Sequence, residues 1–183
     1  MPAVTALLII DLQVGNFEGA DSVHHGEELL SRVERLIERA RRANAPVIYV
    51  QHCGPKGEID EPDTPGWQIH PRIAPIPEDP VIRKRHPDAF QETALADELE
   101  HRGVRRLVIA GLQTEYCVDT TCRSAYGRGF EVVLVEDAHS TWPTDRLSAE
   151  DIIAHHNATL GGWFVKLAKA DEVRFDELYR ADR

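Results

Sequence analysis

Three residues with chemically reactive side chains stand at the ends of three separate apolar runs in this sequence. Asp11 follows the first run, Lys84 ends another, and Cys117 comes after a third and a short polar crossing. The carboxyl ends of parallel strands meet at one edge of a sheet, so residues distant in sequence become neighbours there. A thiol, a carboxylate and an ammonium group can act together as nucleophile, base and stabilising charge. The pattern therefore predicts nucleophilic catalysis with Cys117 as the attacking residue.

The reactivity of Cys117 depends on its ionisation. A free thiol has a pKa of about 8.5, so only a few per cent of it is thiolate at neutral pH. Cys117 precedes a predicted helix, whose N-terminal N–H groups favour negative charge, and Lys84 adds a positive charge. We expect both to lower the pKa of the thiol. We also expect Asp11 to accept the thiol proton and to return it to a leaving amine.

The elements that must position these residues follow from hydrophobic periodicity. Residues 106–136 read as strand, turn, helix and strand, which is one βαβ unit of a parallel sheet. The runs predicted as strands are residues 6–10, 47–50, 80–84, 107–110, 132–135 and 163–167. Helices are predicted at residues 27–42, 92–102 and 148–160, and between Cys117 and Gly127. This alternation predicts a three-layer α/β/α sandwich around a mainly parallel six-stranded sheet.

The composition indicates one soluble globular domain spanning residues 1–183, with 42% hydrophobic and 28% charged residues. A net charge of −10 argues against nucleic-acid binding, which needs a basic patch. The N-terminal stretch reads as a strand and not as a signal peptide, and no apolar run is long enough to span a membrane. Three cysteines do not make a disulfide framework, which favours a cytoplasmic setting. The expected partner is a small-molecule substrate.

Three motifs make the sequence similar to a known family. LLIIDLQ contains Asp11, IRKRHPDAF contains Lys84, and GLQTEYCVDTTCRSAYGRGFEVVLVEDAHST contains Cys117. In this order, and over nearly the whole chain, they resemble the isochorismatase-like cysteine hydrolases, a superfamily that includes nicotinamidases and N-carbamoylsarcosine amidase. The resemblance implies a Rossmann-like fold in which Asp11, Lys84 and Cys117 form the catalytic triad.

The resemblance also implies the remaining parts of the site. It places a cis peptide bond between Leu112 and Gln113, and an oxyanion hole made by the N–H groups of Gln113 and Cys117. The implied reaction is hydrolysis of a small-molecule carbon–nitrogen bond, in an amide, lactam or ureido group, through a thioester on Cys117. Members of the family are commonly homodimers or homotetramers, and we expect one of these states.

One departure from the family concerns metal binding. Nicotinamidases have an Asp-x-His motif on the second strand and a further histidine, whereas this chain has Val50, Gln51 and His52 there, without a carboxylate. His52 and His70, with Cys53 or an acid from the following loop, form an alternative set of ligands. We expect neither a metal nor another cofactor. This matches the metal-free branch of the family, which includes streptothricin hydrolase, an enzyme that opens a cyclic amide.

A long loop and several ring-bearing side chains are candidates for the substrate pocket. Residues 54–80 contain seven of the eleven prolines and show no clear periodicity, and long irregular loops are usually functional. For each aromatic candidate, packing beneath the loops is an alternative of equal weight. The candidates are Phe17, Trp67, His70, Phe90, Tyr116, His139 and Trp142.

Other functions compete with the hydrolase. Cys117, Cys122 and Arg123 have the spacing of a tyrosine-phosphatase loop, but Asp119 inside that loop would repel a phosphate, so we reject this function. Two alternatives stay open. One is a metal-dependent hydrolase of the nicotinamidase or isochorismatase type, and the other is a catalytically idle relative that binds a ligand in the same pocket.

Overall fold

The computed structural model describes residues 4–19 and 22–176, so both ends of the predicted domain, including residues 1–3 of the N-terminal stretch, lie outside the description. Six strands form one sheet: β1 (Val4–Ile10), β2 (Val47–His52), β3 (Val81–Lys84), β4 (Val104–Leu112), β5 (Glu131–Ser140) and β6 (Lys166–Ala168). All neighbouring strands are parallel, in the order β3-β2-β1-β4-β5-β6. The sheet is therefore fully parallel.

Helices cover both faces of the sheet. They are α1 (Gly26–Arg42), α2 (Leu95–His101), α3 (Asp119–Gly127) and α4 (Ala149–Gly161). Alternate side chains of β1 enter two separate apolar cores: Leu7 and Ile9 belong to the core under α1, and Leu8 and Ile10 to the core under the other three helices. Burial on both faces explains why the strands are continuous apolar runs. The predicted three-layer α/β/α fold is confirmed.

The strand order places the ends of β1 and β4 at the point where the chain changes direction across the sheet. From β1 the chain continues through β2 to β3 at one edge, and from β4 through β5 to β6 at the other. A crevice forms at such a point, outside the carboxyl ends of the strands. Asp11 directly follows β1, Cys117 follows β4 after four residues, and Lys84 is the last residue of β3.

Two predicted elements have different bounds in the structure. The helix expected at residues 92–102 begins only at Leu95, since Glu92 has a φ of 54°, in the left-handed region that ends regular helix. The sixth strand, expected at residues 163–167, begins at Lys166. The N–H groups of Phe164 and Val165 instead donate to the carbonyl of Leu160 at the end of α4, which removes them from the sheet.

The proline-rich loop lies across the segment that follows β1. Between residues 54 and 80 the regular structure is a 3-10 turn, Pro71–Ile73. The loop pairs with the segment after β1 through hydrogen bonds from Val14 N to Gln68 O (2.8 Å) and from His70 N to Leu12 O (3.0 Å). These bonds hold the loop close to Asp11. None of the helices in the described part of the chain has the length and hydropathy of a membrane span.

Candidate active site

Asp11, Lys84 and Cys117 meet at the carboxyl edge of the sheet. The ammonium nitrogen Nζ of Lys84 lies 2.6 Å from Asp11 Oδ2 and 3.1 Å from Cys117 Sγ. The Lys84 side chain is fully buried and the Asp11 side chain is 7% exposed, so this ion pair is shielded from water. The structure therefore brings together the three residues predicted from the sequence, with the lysine between the other two.

Asp11 occupies an unusual backbone position at the end of β1. Its φ is 53°, in the left-handed region, and its carbonyl oxygen accepts a hydrogen bond from Asn16 Nδ2 (2.9 Å). Its carboxylate oxygen Oδ2 contacts Lys84, whereas Oδ1 is buried and has no hydrogen-bond partner among the described residues. An unpaired buried acceptor is costly, and native structures rarely keep one without a purpose. Oδ1 is therefore available to accept a proton.

Burial dominates the ionisation of the site. It raises the pKa of the Cys117 thiol to about 12, the negative charge of Asp11 adds to the rise, and the Lys84 charge offsets only part of it. Burial alone would lower the pKa of Lys84, but the charges of Asp11 and Cys117 outweigh it and raise the pKa of the ammonium group. The prediction of a lowered thiol pKa was wrong, because desolvation outweighs the nearby cation. Cys117 at rest is a thiol that needs a base.

Cys117 lies within a π-helical turn, Thr114–Val118, and α3 begins two residues after it. The N–H groups of Tyr116 and Val118 both donate to Gln113 O at 3.1 Å, and the second bond spans five residues. Short π-helical turns are rare in proteins, and those that occur are often found at functional sites. The peptide bond between Leu112 and Gln113 is cis.

A hydrogen-bond network that the sequence did not predict fixes the side chain of Gln113. Its Nε2 donates to Glu115 Oε1 (2.8 Å) and to Thr141 Oγ1 (3.1 Å), and Thr141 Oγ1 donates to the same Glu115 oxygen (2.8 Å). Thr141 is completely buried. Because Thr141 directly follows β5, the network ties the segment before Cys117 to the neighbouring strand.

A cavity of 260 Å³ opens beside Cys117. Asp11 and Gln113 line it, and so do two of the predicted pocket residues, Tyr116 and Trp142. The other lining residues are Gln13, Asn16, His52, Asp60, Pro87 and Leu112. A cavity of a few hundred cubic ångströms is of the size in which proteins bind small molecules.

Phe90 and His139, two further predicted pocket residues, belong to the interior. Phe90 is buried and stacks on Phe130, with ring centroids 5.9 Å apart. His139 lies inside β5, where its ring nitrogens contact Thr114 Oγ1 and Asn157 Oδ1, each at 2.9 Å. Burial lowers the pKa of His139 to about 4. The pocket role predicted for these two residues is therefore corrected to a structural one.

The last three predicted pocket residues lie on or against the long loop but do not line the cavity of Cys117. Phe17 and His70 contact each other edge to face, with ring centroids 5.1 Å apart. Trp67 is buried and lines a different cavity of 390 Å³, where the guanidinium of Arg83 stands 4.9 Å from its ring centroid. These positions depend on how the irregular loop folds, and hydrophobic periodicity in the sequence does not predict that.

His52 and Asp60 form a polar pair on the wall of the cavity. His52 Nδ1 lies 2.5 Å from Asp60 Oδ2. The side chain of Gln13 fixes the backbone of His52, donating to its carbonyl (3.0 Å) and accepting from its N–H (2.8 Å). Gly54 allows the approach of Asp60, because a Cβ there would lie 1.9 Å from Asp60 Oδ1. Sequence reasoning missed Asp60, since nothing in the loop distinguishes it from the other acids.

The alternative metal ligands do not converge. His70 Nδ1 accepts a weak hydrogen bond from Arg72 N (3.4 Å), and His70 does not line the cavity of Cys117. Within residues 4–19 and 22–176, the one group of three side chains with closely spaced donor atoms contains neither His52 nor His70. In the described part of the chain, His52 and His70 therefore do not belong to one group of three potential metal ligands.

Comparison with known proteins identifies the family and supports the fold. A family model described as the isochorismatase domain matches residues 5–158. Streptothricin hydrolase from Streptomyces noursei is 38% identical over 170 residues, and the match covers 93% of this chain but 61% of that protein. The crystal structure of an isochorismatase family protein matches with a TM-score of 0.84 and 36% identity, over 90% of this chain and 98% of that one. N-carbamoylsarcosine amidase from Thermoplasma acidophilum, at 21% identity and a TM-score of 0.82 over 93% of this chain and 96% of that one, shares the fold.

Proposed function

Because the chain belongs to the isochorismatase domain family, we propose that it hydrolyses a carbon–nitrogen bond of a small molecule through a thioester on Cys117. The bond is in an amide, lactam or ureido group. The observation on which this rests is the buried Lys84 ammonium group, 2.6 Å from a carboxylate and 3.1 Å from a thiol at the edge of a small cavity. The similarity to streptothricin hydrolase supports the choice of bond.

Acylation begins with the thiol, since the raised pKa keeps Cys117 protonated at rest. Asp11 accepts the thiol proton through Oδ1, the oxygen without a hydrogen-bond partner among the described residues. The sulfur then attacks the substrate carbonyl carbon, while Lys84, 3.1 Å from Cys117 Sγ, stabilises the negative charge on the sulfur. The N–H groups of Gln113 and Cys117 form the oxyanion hole for the tetrahedral intermediate.

Collapse of that intermediate breaks the carbon–nitrogen bond. Asp11 gives its proton to the departing amine and becomes a carboxylate again. A water molecule then loses a proton to Asp11 and attacks the thioester carbonyl. The carbon–sulfur bond breaks, the acid leaves, and the proton returns to Cys117, so each turnover consumes one water molecule and leaves the protein unchanged.

The proposed reaction uses no metal ion. Lys84 already supplies a positive charge beside the nucleophile, and His52 has its Nδ1 in contact with Asp60. The donor atoms of His52 and His70 do not belong to one group of potential ligands in the described part of the chain. A chelator should therefore leave the reaction rate unchanged.

The experiment is a substrate panel with matched cysteine variants. Purified protein, with and without EDTA, is incubated with streptothricin, simple amides, lactams and ureido acids, and released amine or ammonia is measured. Cys117→Ser is compared with Cys53→Ser, the same change at a half-buried thiol that does not line the cavity of Cys117. We expect C117S to lose at least about a thousandfold in kcat/KM and C53S to keep it.

Each other outcome contradicts a distinct part of the proposal. Activity that disappears with EDTA would contradict the metal-free reaction and support a nicotinamidase-type site. Wild-type rates in C117S would contradict the thioester. No release from any substrate, with an unreactive Cys117, would support an idle ligand-binding protein.

A further inference from the structure

A cluster of two histidines and one glutamate lies outside the site described above, between the N-termini of α1 and α4. The donor atoms of His24, His25 and Glu150 all lie within 4.8 Å of one another. His24 Nε2 is 3.2 Å from Glu150 Oε1, and the two imidazole rings stand nearly perpendicular with centroids 4.0 Å apart. This is the one such group of three potential ligands in residues 4–19 and 22–176.

Backbone and capping contacts place these three residues close to one another. His24 N donates to Thr141 O (3.1 Å), and Ser140 Oγ donates to His24 O (2.6 Å), so the buried end of β5 holds His24. His25 has a φ of 49°, in the left-handed region, and its ring stands beside that of His24. On the other side, Ser148 caps α4 by accepting from Asp151 N (3.1 Å), which fixes the first helical turn and Glu150 with it.

The charges around the cluster favour a cation. His24 and His25 line a cavity of 320 Å³, whose other lining residues include Glu28, Glu136, Asp137 and Arg32. Arg32 is 3.4 Å from Asp137 and offsets that charge. His25 Nδ1 is 3.5 Å from Glu28 Oε1, so a fourth oxygen donor is close to the group.

The donor set selects the class of metal. Two imidazole nitrogens and a carboxylate suit zinc and similar divalent transition metals, whereas magnesium and calcium prefer oxygen donors. In tetrahedral zinc sites with bonds of about 2.0–2.1 Å, neighbouring donors are ~3.3 Å apart. The His24–Glu150 separation of 3.2 Å already matches this value. The His25 side chain is 60% exposed, so it can move until one of its ring nitrogens is also within bonding distance of the metal.

We propose that His24, His25 and Glu150 bind one zinc ion, with water or Glu28 in the fourth position. Zinc bound there fastens the N-terminus of α1 to that of α4 across the end of β5. The site is distinct from the cavity of Cys117, with which it shares no lining residue. It does not depend on the proposed hydrolase activity.

The test is calorimetric titration of the tag-free, chelator-stripped protein with zinc chloride. Glu150→Gln and His25→Asn are the informative variants, because both side chains are more than half exposed and asparagine tolerates the left-handed backbone. His155→Gln is the matched control: His155 is exposed on α4 and also contacts a neighbouring histidine, with ring centroids 5.3 Å apart, but it lies outside the cluster. Zinc also binds thiols, so the total number of bound zinc ions does not identify the site. The decisive quantity is the number of zinc equivalents that each variant loses relative to wild type.

We expect wild type and H155Q to bind the same number of zinc equivalents, and E150Q and H25N to lose one or to bind it at least tenfold more weakly. Zinc should raise the melting temperature of wild type and H155Q more than that of the two variants. Equal binding in wild type, E150Q and H25N would overturn the proposal, and so would no binding of sub-millimolar zinc by wild type. Loss of the same equivalent in H155Q would also overturn it, because another histidine pair would then hold the metal.

Discussion

At the scale of single residues, the contacts of Lys84 explain how a charged group is stable in a site that is shielded from water. A buried ammonium group is stable only beside a fixed negative partner, and Asp11 Oδ2 at 2.6 Å is that partner. The same ammonium group is 3.1 Å from Cys117 Sγ, where it can stabilise a thiolate as the thiolate forms. In the proposed reaction Lys84 therefore has both a structural and a chemical role, and the two can be separated by mutation.

Lys84→Met tests this double role. The change leaves the Asp11 carboxylate buried and unpaired, so we expect a loss of about 3–5 kcal/mol in the free energy of unfolding, together with loss of turnover. Urea denaturation and amine release measure the two effects. Adding Asp11→Asn to K84M removes the unpaired charge and should restore most of the stability without any activity. A stable, active K84M would contradict the account.

The ionisation of Cys117 gives a second prediction. Its thiol pKa is raised to about 12, so alkylation by iodoacetamide should still accelerate between pH 9 and 11 instead of levelling off near pH 8.5. Because the Asp11 charge contributes to the rise, Asp11→Asn should lower the thiol pKa and speed alkylation at pH 8. The measurement uses a Cys53→Ser background so that one half-buried thiol remains, Cys122 being buried. A plateau near pH 8.5 in wild type would be inconsistent with this desolvated thiol.

His139 gives a prediction on stability. Burial holds its folded-state pKa at about 4, below the unfolded value of about 6.5, so the unfolded chain binds the proton more readily. The stability it contributes is complete above about pH 6.5 and is lost as the pH falls toward 4, by about 3 kcal/mol in total. Urea unfolding of wild type and His139→Asn at pH 7 and pH 4.5 should show a smaller pH effect in the variant. Equal pH effects would mean that His139 does not titrate in this way.

At the scale of elements, the end of β4 controls the position of Cys117. Gly111 has a φ of 133°, and a Cβ there would lie 2.1 Å from the carbonyl oxygen of Ile10. The register of β4 against β5 shifts between Ile109 and Gly111, which marks a β-bulge or similar irregularity near the end of β4. Only glycine permits this approach of β4 to β1, because any side chain at position 111 would collide with the backbone of Ile10.

Gly111→Ala should therefore move the end of β4 away from β1. We expect a destabilisation of at least about 1–3 kcal/mol and a large loss of activity, measured by thermal unfolding and by amine release. Gly127→Ala, at the end of α3, is the matched control, since its new Cβ meets no atom within 4 Å and its φ is not in the left-handed region. If G111A behaved like G127A, the close approach would not matter for the site.

The sequence correctly predicts the strands and helices whose positions do not depend on long-range packing. Continuous apolar runs identify the strands, because both faces of a parallel sheet are buried, and the residues that follow them must lie at its edge. The contact of Asp60 with His52 was not predictable, because it depends on how an irregular loop folds around Gly54. The raised pKa of Cys117 was missed for a similar reason. The sequence shows that a lysine is a candidate neighbour of the thiol, but it does not show how deeply the thiol is buried.

At the scale of the whole molecule, the order of the strands explains why three distant residues form one site. β1 and β4 lie side by side where the chain changes direction, and Lys84, from the edge strand β3, reaches across to them. The pocket aromatics could not be assigned in the same way. Tyr116 and Trp142 line the cavity, whereas Phe90 packs in the core, and only the packing of the helices and loops decides between these positions.

The most direct test of the central claim is intact-protein mass spectrometry after brief reaction with p-nitrophenyl acetate and an acid quench. A nucleophilic Cys117 should gain one acetyl group, in the presence or absence of EDTA. Hydroxylamine, which cleaves thioesters, should remove that group. Cys117→Ser should show no such adduct, and Cys53→Ser should behave like wild type. An acetyl group that persists in C117S, or a Cys117 that is never acylated, would contradict the covalent route.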